Sequence, residues 1–315
     1  MKKASPHVKD LIDINNYGVD GDILVKPLPK HSFDSSKFSA ILIQKLKMLD
    51  RFFKKLKSKT PNQAMYPELE KVGGLQNAID IEFEKLNSEL RVTRDSDLDN
   101  IPLTFALIKS GQKFSQICIG AEEKLYLADF WKEGVCLAHG VTKNISDLAE
   151  VIGFWHCNNI TTRELADNFS FVVPNDKAFA FDENNEVEYT WNLILKDKYS
   201  AELNDFVKLA IKDEVLNKLF PFTSLYTLCF SKCTGYPYDT YDLPNVTPKQ
   251  FENFAPIQEE RSIEVQDRHK LEFQFIVTKN KSIYLGEGNA EDALRIVKAN
   301  LPDNIQPARK GAMDK

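Results

Sequence analysis

The amino-acid sequence predicts an α+β protein, and three observations carry that prediction. Apolar residues recur at helical spacing in two early stretches, 35–59 and 75–90. Between about 102 and 141 the rhythm changes to short apolar runs broken by turn residues. The chain then closes on a strand, a turn, a second strand and a helix between 271 and 301.

Composition sets the outer bounds. The chain has 315 residues and 21 Phe, enough apolar material for burial to offset the entropy of ordering the backbone. The opening residues Met-Lys-Lys-Ala-Ser-Pro-His are followed by polar positions rather than the apolar run of a signal peptide. No stretch approaches the roughly 18 apolar residues that span a bilayer. Five cysteines, an odd number, are scattered at 118, 136, 157, 229 and 233, which argues for reduced thiols and a cytoplasmic location. A net charge of −5 argues against a dedicated nucleic-acid binder.

Residues 1–33 show no sustained periodicity and read as an irregular lead with one short strand at Ile23-Leu24-Val25. A helix capped by Asp34 or Ser35 follows, its stripe running through Phe38, Ile41, Leu42, Leu46, Leu49, Phe52, Phe53 and Leu56. Its polar side is basic, with Lys47, Arg51, Lys54 and Lys55 at its centre and Asp50 as the one acid. A second helix starts after Gly73-Gly74 and leans acidic through Asp80, Glu82, Glu84 and Glu89. Opposite charge predicts that the two form a helical hairpin. Residues 1–60 are accordingly read as an N-terminal extension and 61–315 as a single α+β domain.

The period-two region divides into Thr104–Ile108, Phe114–Ile119, Leu125–Trp131 and Val135–His139, with glycine-containing turns between. This is the pattern of an antiparallel meander. Helices are expected at Ser146–Cys157 and Thr162–Asn168, the second opened by the capping box of Thr161 and Glu164. A longer helix is expected at about 201–219, stopped by Phe220-Pro221-Phe222. A strand at Leu225–Cys233, a loop of roughly thirty residues, and the closing β-β-α unit complete the reading.

Each constellation that could carry chemistry has a plainer explanation beside it. Asp147 to Leu165 imitates a helix-turn-helix, but residues 146–168 hold four acids and one arginine, the wrong sign for phosphates. Cys136, His139, His156 and Cys157 could form a metal set only if a chelating pair shared a face. Cys136 and His139 are three apart on a strand and point to opposite faces, and His156 and Cys157 diverge on a helix. Neither a metal nor another cofactor is therefore expected. Gly286-Glu287-Gly288-Asn289 stands where a phosphate loop could stand, yet the fingerprint is incomplete and Glu291 and Asp292 would repel a phosphate. No catalytic residue is singled out.

The least ordinary segment is Thr234-Gly235-Tyr236-Pro237-Tyr238-Asp239-Thr240-Tyr241-Asp242. Tyrosines offer rigid contact area with a polar tip, which suits recognition, and they equally suit a loop pinned to its own sheet. Tyr236, Tyr238, Tyr241 and Glu287 are one set of candidate binding residues. Lys47, Arg51, Lys54 and Lys55 are another, as a docking face for an acidic partner or simply a solvated helix face.

A set of short motifs adds to this reading. Met65-Tyr66-Pro67-Glu68-Leu69, Gly73-Gly74-Leu75, Asp147-Leu148-Ala149, Trp155 and Glu164-Leu165 form its first half. Leu219-Phe220-Pro221-Phe222-Thr223-Ser224, Thr234-Gly235-Tyr236-Pro237, Leu285-Gly286-Glu287-Gly288 and Asn300-Leu301-Pro302 form its second. In that order they resemble an uncharacterised bacterial family, a domain of unknown function labelled "natural product biosynthesis protein", over residues 65–312. The sequence departs from the pattern in its basic 1–60 extension and at Asn304-Ile305, where the family has a Gly-rich turn. The resemblance implies a compact α+β protein and supplies no catalytic residue.

The functional expectation is a non-catalytic protein-binding or accessory factor of a specialised bacterial gene cluster, of the immunity kind. Two alternatives stay open: an accessory enzyme of natural-product biosynthesis, and a DNA-binding regulator using residues 147–165. The expected partner is a protein; neither nucleic acid nor a transmembrane segment is expected, and the sequence does not define the oligomeric state.

Overall fold

A computed structural model describes residues 63–94, 104–251, 274–280 and 283–313. The irregular lead, the strand at 23–25 and the basic helix with Lys47, Arg51, Lys54 and Lys55 lie outside the described residues. The described residues fall into two compact units. One holds those up to Phe130 together with Ala138–Pro174, and the other holds Trp131–Leu137 and those from Asn175 onward. The architecture is α+β with two antiparallel sheets, as the change of period predicts.

The first unit opens with α1 (Pro67–Lys71) and α2 (Leu75–Lys85), separated by Gly73 and Gly74, both at positive φ. The meander follows as β1 (Phe105–Ser110), β2 (Lys113–Ile119), β3 (Tyr126–Lys132) and β4 (Val135–Thr142). Then come α3 (Ile145–Cys157), α4 (Thr162–Asn168) and β5 (Val172–Pro174), giving a sheet in the order β1-β2-β3-β4-β5. Glu133 and Gly134 both take positive φ in the two-residue turn between β3 and β4, as the twist of a tight hairpin requires. The predicted box of Thr161 and Glu164 closes, and Asn144, not anticipated as a cap, opens α3 with its Oδ1 accepting from Ser146 N at 3.0 Å.

One side of β1 and β2 carries Ala106, Ile108, Ile117 and Ile119, all buried. Helices α2 and α3 pack together and against those strands, and they bury Leu75, Ile79, Phe83, Leu148, Ile152 and Trp155. Burial of each such side chain contributes about 1.5–3 kcal/mol. Phe130 meets Trp155 edge-on at 6.0 Å. Helix α3 therefore spends its apolar face on the core. The acids of α2 find partners nearby: Asp80 binds Arg94 at 2.6 Å, and Glu82 binds Lys85 and Ser146 at 2.7 Å each.

In the second unit come α5 (Ala178–Asp182), α6 (Glu186–Lys196) and α7 (Asn204–Ala210). They are followed by β6 (Phe220–Ser224), β7 (Thr227–Ser231), β8 (Pro244–Pro248), β9 (Phe275–Lys279), β10 (Ile283–Gly288) and α8 (Ala290–Ala299). The sheet runs β10-β9-β8-β7-β6, antiparallel throughout. Leu228, Val246 and Val277 are aligned across β7, β8 and β9 and join one core with Trp191, Phe206, Phe230, Phe275, Ala293 and Val297. Trp191 satisfies its indole by donating to Leu219 O at 3.2 Å.

Three expectations change here. The helix predicted at 201–219 is broken into a 3-10 turn (Lys198–Leu203), α7, and a second 3-10 turn (Leu216–Lys218). Asp213 accounts for the second break, because its carboxylate accepts from the amides of both Val215 and Leu216 at 3.0 Å. Phe220-Pro221-Phe222 is not a stop but the strand β6, at the edge of the sheet among the described residues, where proline is tolerated because one side is unpaired by any described strand. The long loop contains β8, which two prolines disguise; each stands at an end of the strand, and Asn245-Val246-Thr247 between them pair normally. Helices α5 and α6 were not anticipated at all. Among the described residues no helix is long and apolar enough to cross a membrane.

Candidate functional site

The tyrosine loop after β7 is the most constrained irregular segment of the second unit. Three stretches of backbone are knitted there. Thr234 N donates to Arg309 O (3.1 Å), Gly235 N to Gly311 O (2.8 Å), Tyr236 N to Gly134 O (3.1 Å), and Met313 N to Pro237 O (2.8 Å). The approach leaves no room for a side chain. A Cβ on Gly235 would lie 1.8 Å from Glu133 O, and one on Gly134 would lie 2.3 Å from Tyr236 O. The Tyr236–Pro237 peptide is cis.

Cys233 is the hub of the loop. It is fully buried, and its sulfur accepts from Asp239 N at 3.2 Å and lies 3.5 and 3.6 Å from the carbonyls of Gly235 and Pro237. Ser231 Oγ donates to Cys233 O at 2.7 Å and accepts from Cys233 N at 3.0 Å. Cys233 therefore lies beyond the end of β7, although the strand expected at Leu225–Cys233 reached it.

The three tyrosines separate by role. Tyr238 stacks on Phe222 at 4.3 Å and lies 5.7 Å from Phe220, so it pins the loop to β6. Burial, then the neighbouring Cys233 and Tyr236, push its phenol up to about 12, and it stays neutral. Tyr236, edge-on to Tyr238, is 39% exposed, and Tyr241 is 75% exposed with Lys232 5.8 Å from its ring centre. The charges around them are matched: Lys232 with Asp239 at 3.4 Å and Lys279 with Asp242 at 2.7 Å.

Glu287 is not part of this group. It lies on β10, bonded to Lys249 at 2.5 Å, whereas Phe222 beneath Tyr238 is on β6 at the other edge of the sheet. Four strand spacings separate the two edges, roughly 19 Å. The Gly286–Asn289 segment is not a phosphate loop either. Gly286 and Gly288 belong to β10, which has a register shift between Tyr284 and Gly286, and Asn289 caps α8 by accepting from Asp292 N at 3.0 Å.

A second group lies on the β3–β4 hairpin. His139 Nδ1 on β4 and Asp129 Oδ1 on β3 are 2.6 Å apart. Simple alternation would have placed Cys136 and His139 on opposite faces. The burial pattern of β4 breaks that alternation: Leu137 and Ala138 are both buried, while Cys136 and His139 are both half-buried. The other two residues of the set considered from sequence go elsewhere. Cys157 is exposed, and His156 Nε2 meets the fully buried Ser115 Oγ at 3.0 Å. Burial, then the Lys113 charge, lower His156 to about 4. Among the described residues its Nδ1 has no hydrogen-bond partner, so none of their carboxylates orients this histidine as a serine triad requires.

A shallow depression near the β6–β7 turn, lined by Leu203, Leu225, Tyr226 and Phe251, measures about 10 Å³. That is about the space of one water and too little to enclose a substrate.

Sequence reasoning missed two contributors to the tyrosine loop: the tail Arg309–Met313 and the turn Glu133–Gly134. Gly311, at positive φ, was the available signal for the tail. Residues 185–312 match the model of a family of unknown function (DUF6193). The match covers the motifs from Leu219 to Pro302 and begins well after residue 65, where the expected resemblance starts. No curated protein and no solved structure matches the chain.

Proposed function

We propose that this chain is a non-catalytic protein-binding factor and that the tyrosine loop is its contact surface. The observation that carries the reading is the division of labour among Tyr236, Tyr238 and Tyr241. One ring is the anchor and two are exposed, on backbone fixed by four hydrogen bonds to neighbouring segments. A preorganised aromatic surface loses little entropy on binding, and tyrosine is enriched at interface hot spots. The matched ion pairs around the loop favour a partner surface that is polar and aromatic rather than strongly charged.

The biological setting that fits is an accessory or immunity-type role in a specialised bacterial gene cluster, in the cytoplasm, where thiols such as Cys157 stay reduced. An accessory enzyme of natural-product assembly would need Tyr236, Tyr238 and Glu287 to converge, which they do not, so no observation favours that reading.

The test is affinity capture from the native host with the full chain and a Tyr236→Ala/Tyr241→Ala double variant. Both side chains are exposed, so the variant should fold, and circular dichroism checks this. The expected result is a stoichiometric protein partner whose affinity falls at least about thirtyfold in the double variant, as the loss of a hot spot of about 2 kcal/mol requires. A partner bound equally well by the variant, or no stoichiometric partner at all, overturns the proposal.

A further inference from the structure

We infer that the sheet of the second unit binds a neutral carbohydrate chain on the face turned away from α8. Strand register defines that face. One row crosses all five strands, from Phe222 to Cys229, Asn245, Thr278 and Tyr284. A second row runs from Thr247 to Ile276 and Glu287, and Thr227 Oγ1 joins it by a hydrogen bond to Thr247 Oγ1 at 2.8 Å.

Helix α8 lies on the opposite side. The intervening row of Leu228, Val246 and Val277 belongs to the core with Ala293 and Val297, and a Cβ on Gly286 would lie 2.9 Å from Ile296 of α8. Strand alternation therefore turns Asn245, Thr278 and Glu287 away from α8. The register shift between Tyr284 and Gly286 keeps Tyr284 beside Thr278 on the same side. Tyr284 is 58% exposed, and Thr227, Asn245, Thr247 and Thr278 are half-buried, as side chains lying on a sheet surface are. Cys229 and Ile276 fill the floor between them and are buried.

The composition of this face selects its ligand. The centre is polar and the ends are aromatic, with Tyr284 on β10 and Phe222 on β6, where Tyr238 stacks at 4.3 Å. A protein interface is built the opposite way, with an apolar centre and a polar rim. A nucleic acid would need cations to meet its phosphates, and Lys249, beside the second row, is already bonded to Glu287 at 2.5 Å. The threonine hydroxyls and the Asn245 amide each donate and accept hydrogen bonds, and none carries a charge. They complement a ligand made of hydroxyl groups, which donate and accept in the same way. The electron-rich face of the Tyr284 ring suits the polarised C–H face of a sugar. Strands about 4.8 Å apart repeat these groups along the row, which favours an extended chain over a compact ligand. The inference does not rest on the protein-contact reading of Tyr236 and Tyr241.

The test is affinity electrophoresis of the full-length protein in gels containing glycogen, hydroxyethyl cellulose, laminarin or galactomannan. At least one of these neutral polysaccharides should retard the protein, equally at low and high salt. Tyr284→Ala and Asn245→Ala should each weaken that binding at least about tenfold. Leu193→Ala, which trims an exposed side chain of α6, should leave it unchanged. Circular dichroism checks folding, and Tyr284→Thr, which keeps strand propensity, replaces Tyr284→Ala if that variant does not fold. No retardation by any of the four overturns the inference, as does retardation that high salt abolishes, that Tyr284→Ala leaves intact, or that Leu193→Ala weakens equally. A protein partner that Tyr284→Ala releases would make this face a protein interface and overturn it too. Failure with the polysaccharides leaves the partner capture with Tyr236→Ala/Tyr241→Ala to decide the tyrosine loop separately.

Discussion

Gly235→Ala and Gly153→Ala make the same chemical change at two positions and should alter stability in opposite directions. At Gly235 the new Cβ would lie 1.8 Å from Glu133 O, whereas real Cβ atoms keep at least 3.0 Å. The loop and the β3–β4 turn must therefore separate by at least 1.2 Å, the difference of those two distances. Adding that separation to the Tyr236 N–Gly134 O bond of 3.1 Å takes it past hydrogen-bonding range, and the Gly235 N–Gly311 O bond of 2.8 Å is strained with it. Two bonds at about 1 kcal/mol each and an overpacking cost of about 1–3 kcal/mol place the loss near 4 kcal/mol. At Gly153, within α3, a Cβ meets nothing within 4 Å, and alanine should stabilise the helix by about 0.5–1 kcal/mol. Urea unfolding followed by tryptophan fluorescence measures both, Trp155 reporting the first unit and Trp131 and Trp191 the second. A loss at Gly235 below about 1 kcal/mol, or the same sign at both positions, would refute the account of the knitted backbone.

Two further perturbations test other parts of the structure. His156 is held near 4 in the folded chain against an ordinary 6.5, so the unfolded chain binds the extra proton first. Stability should consequently fall by about 2 kcal/mol from pH 7 to pH 5, level off below about 4, and lose this slope in His156→Gln. An unchanged slope in the variant would show that another group is responsible. Asp213→Ala removes acceptors for two backbone amides and the partner of Lys298, and should cost about 1–2 kcal/mol by thermal or urea unfolding. Asp213→Asn should restore most of it and Lys298→Ala should cost less, because the Lys298 end of the ion pair is half-exposed and the pair is the weaker contribution. Equal losses in Asp213→Ala and Lys298→Ala would contradict that ranking.

Local chemistry made much of the fold readable. The turn residues between the meander strands, the Thr161–Glu164 box, the Asn289 cap and the period of α3 act within four or five residues of themselves, so a linear chain displays them. What needed the tertiary structure acts across longer spans. Strand β8 is stabilised by β7 and β9 rather than by its own composition, and its flanking prolines argued against it. Asp213 broke a helix that apolar spacing had extended, because its carboxylate competes for the amides of Val215 and Leu216. At the sites the division is the same. That Tyr236, Tyr238 and Tyr241 form an unusual cluster was visible in sequence. Which of them is anchor and which is exposed was decided by Phe222 and Cys233, and the separation of Glu287 by the order of five strands. Strand alternation assigned Cys136 and His139 to opposite faces, yet in β4 Leu137 and Ala138 are both buried while Cys136 and His139 are both half-buried. Alternation is a property of ideal backbone and can be read from order alone. Departures from it are set by what packs on either side, which only the assembled protein defines.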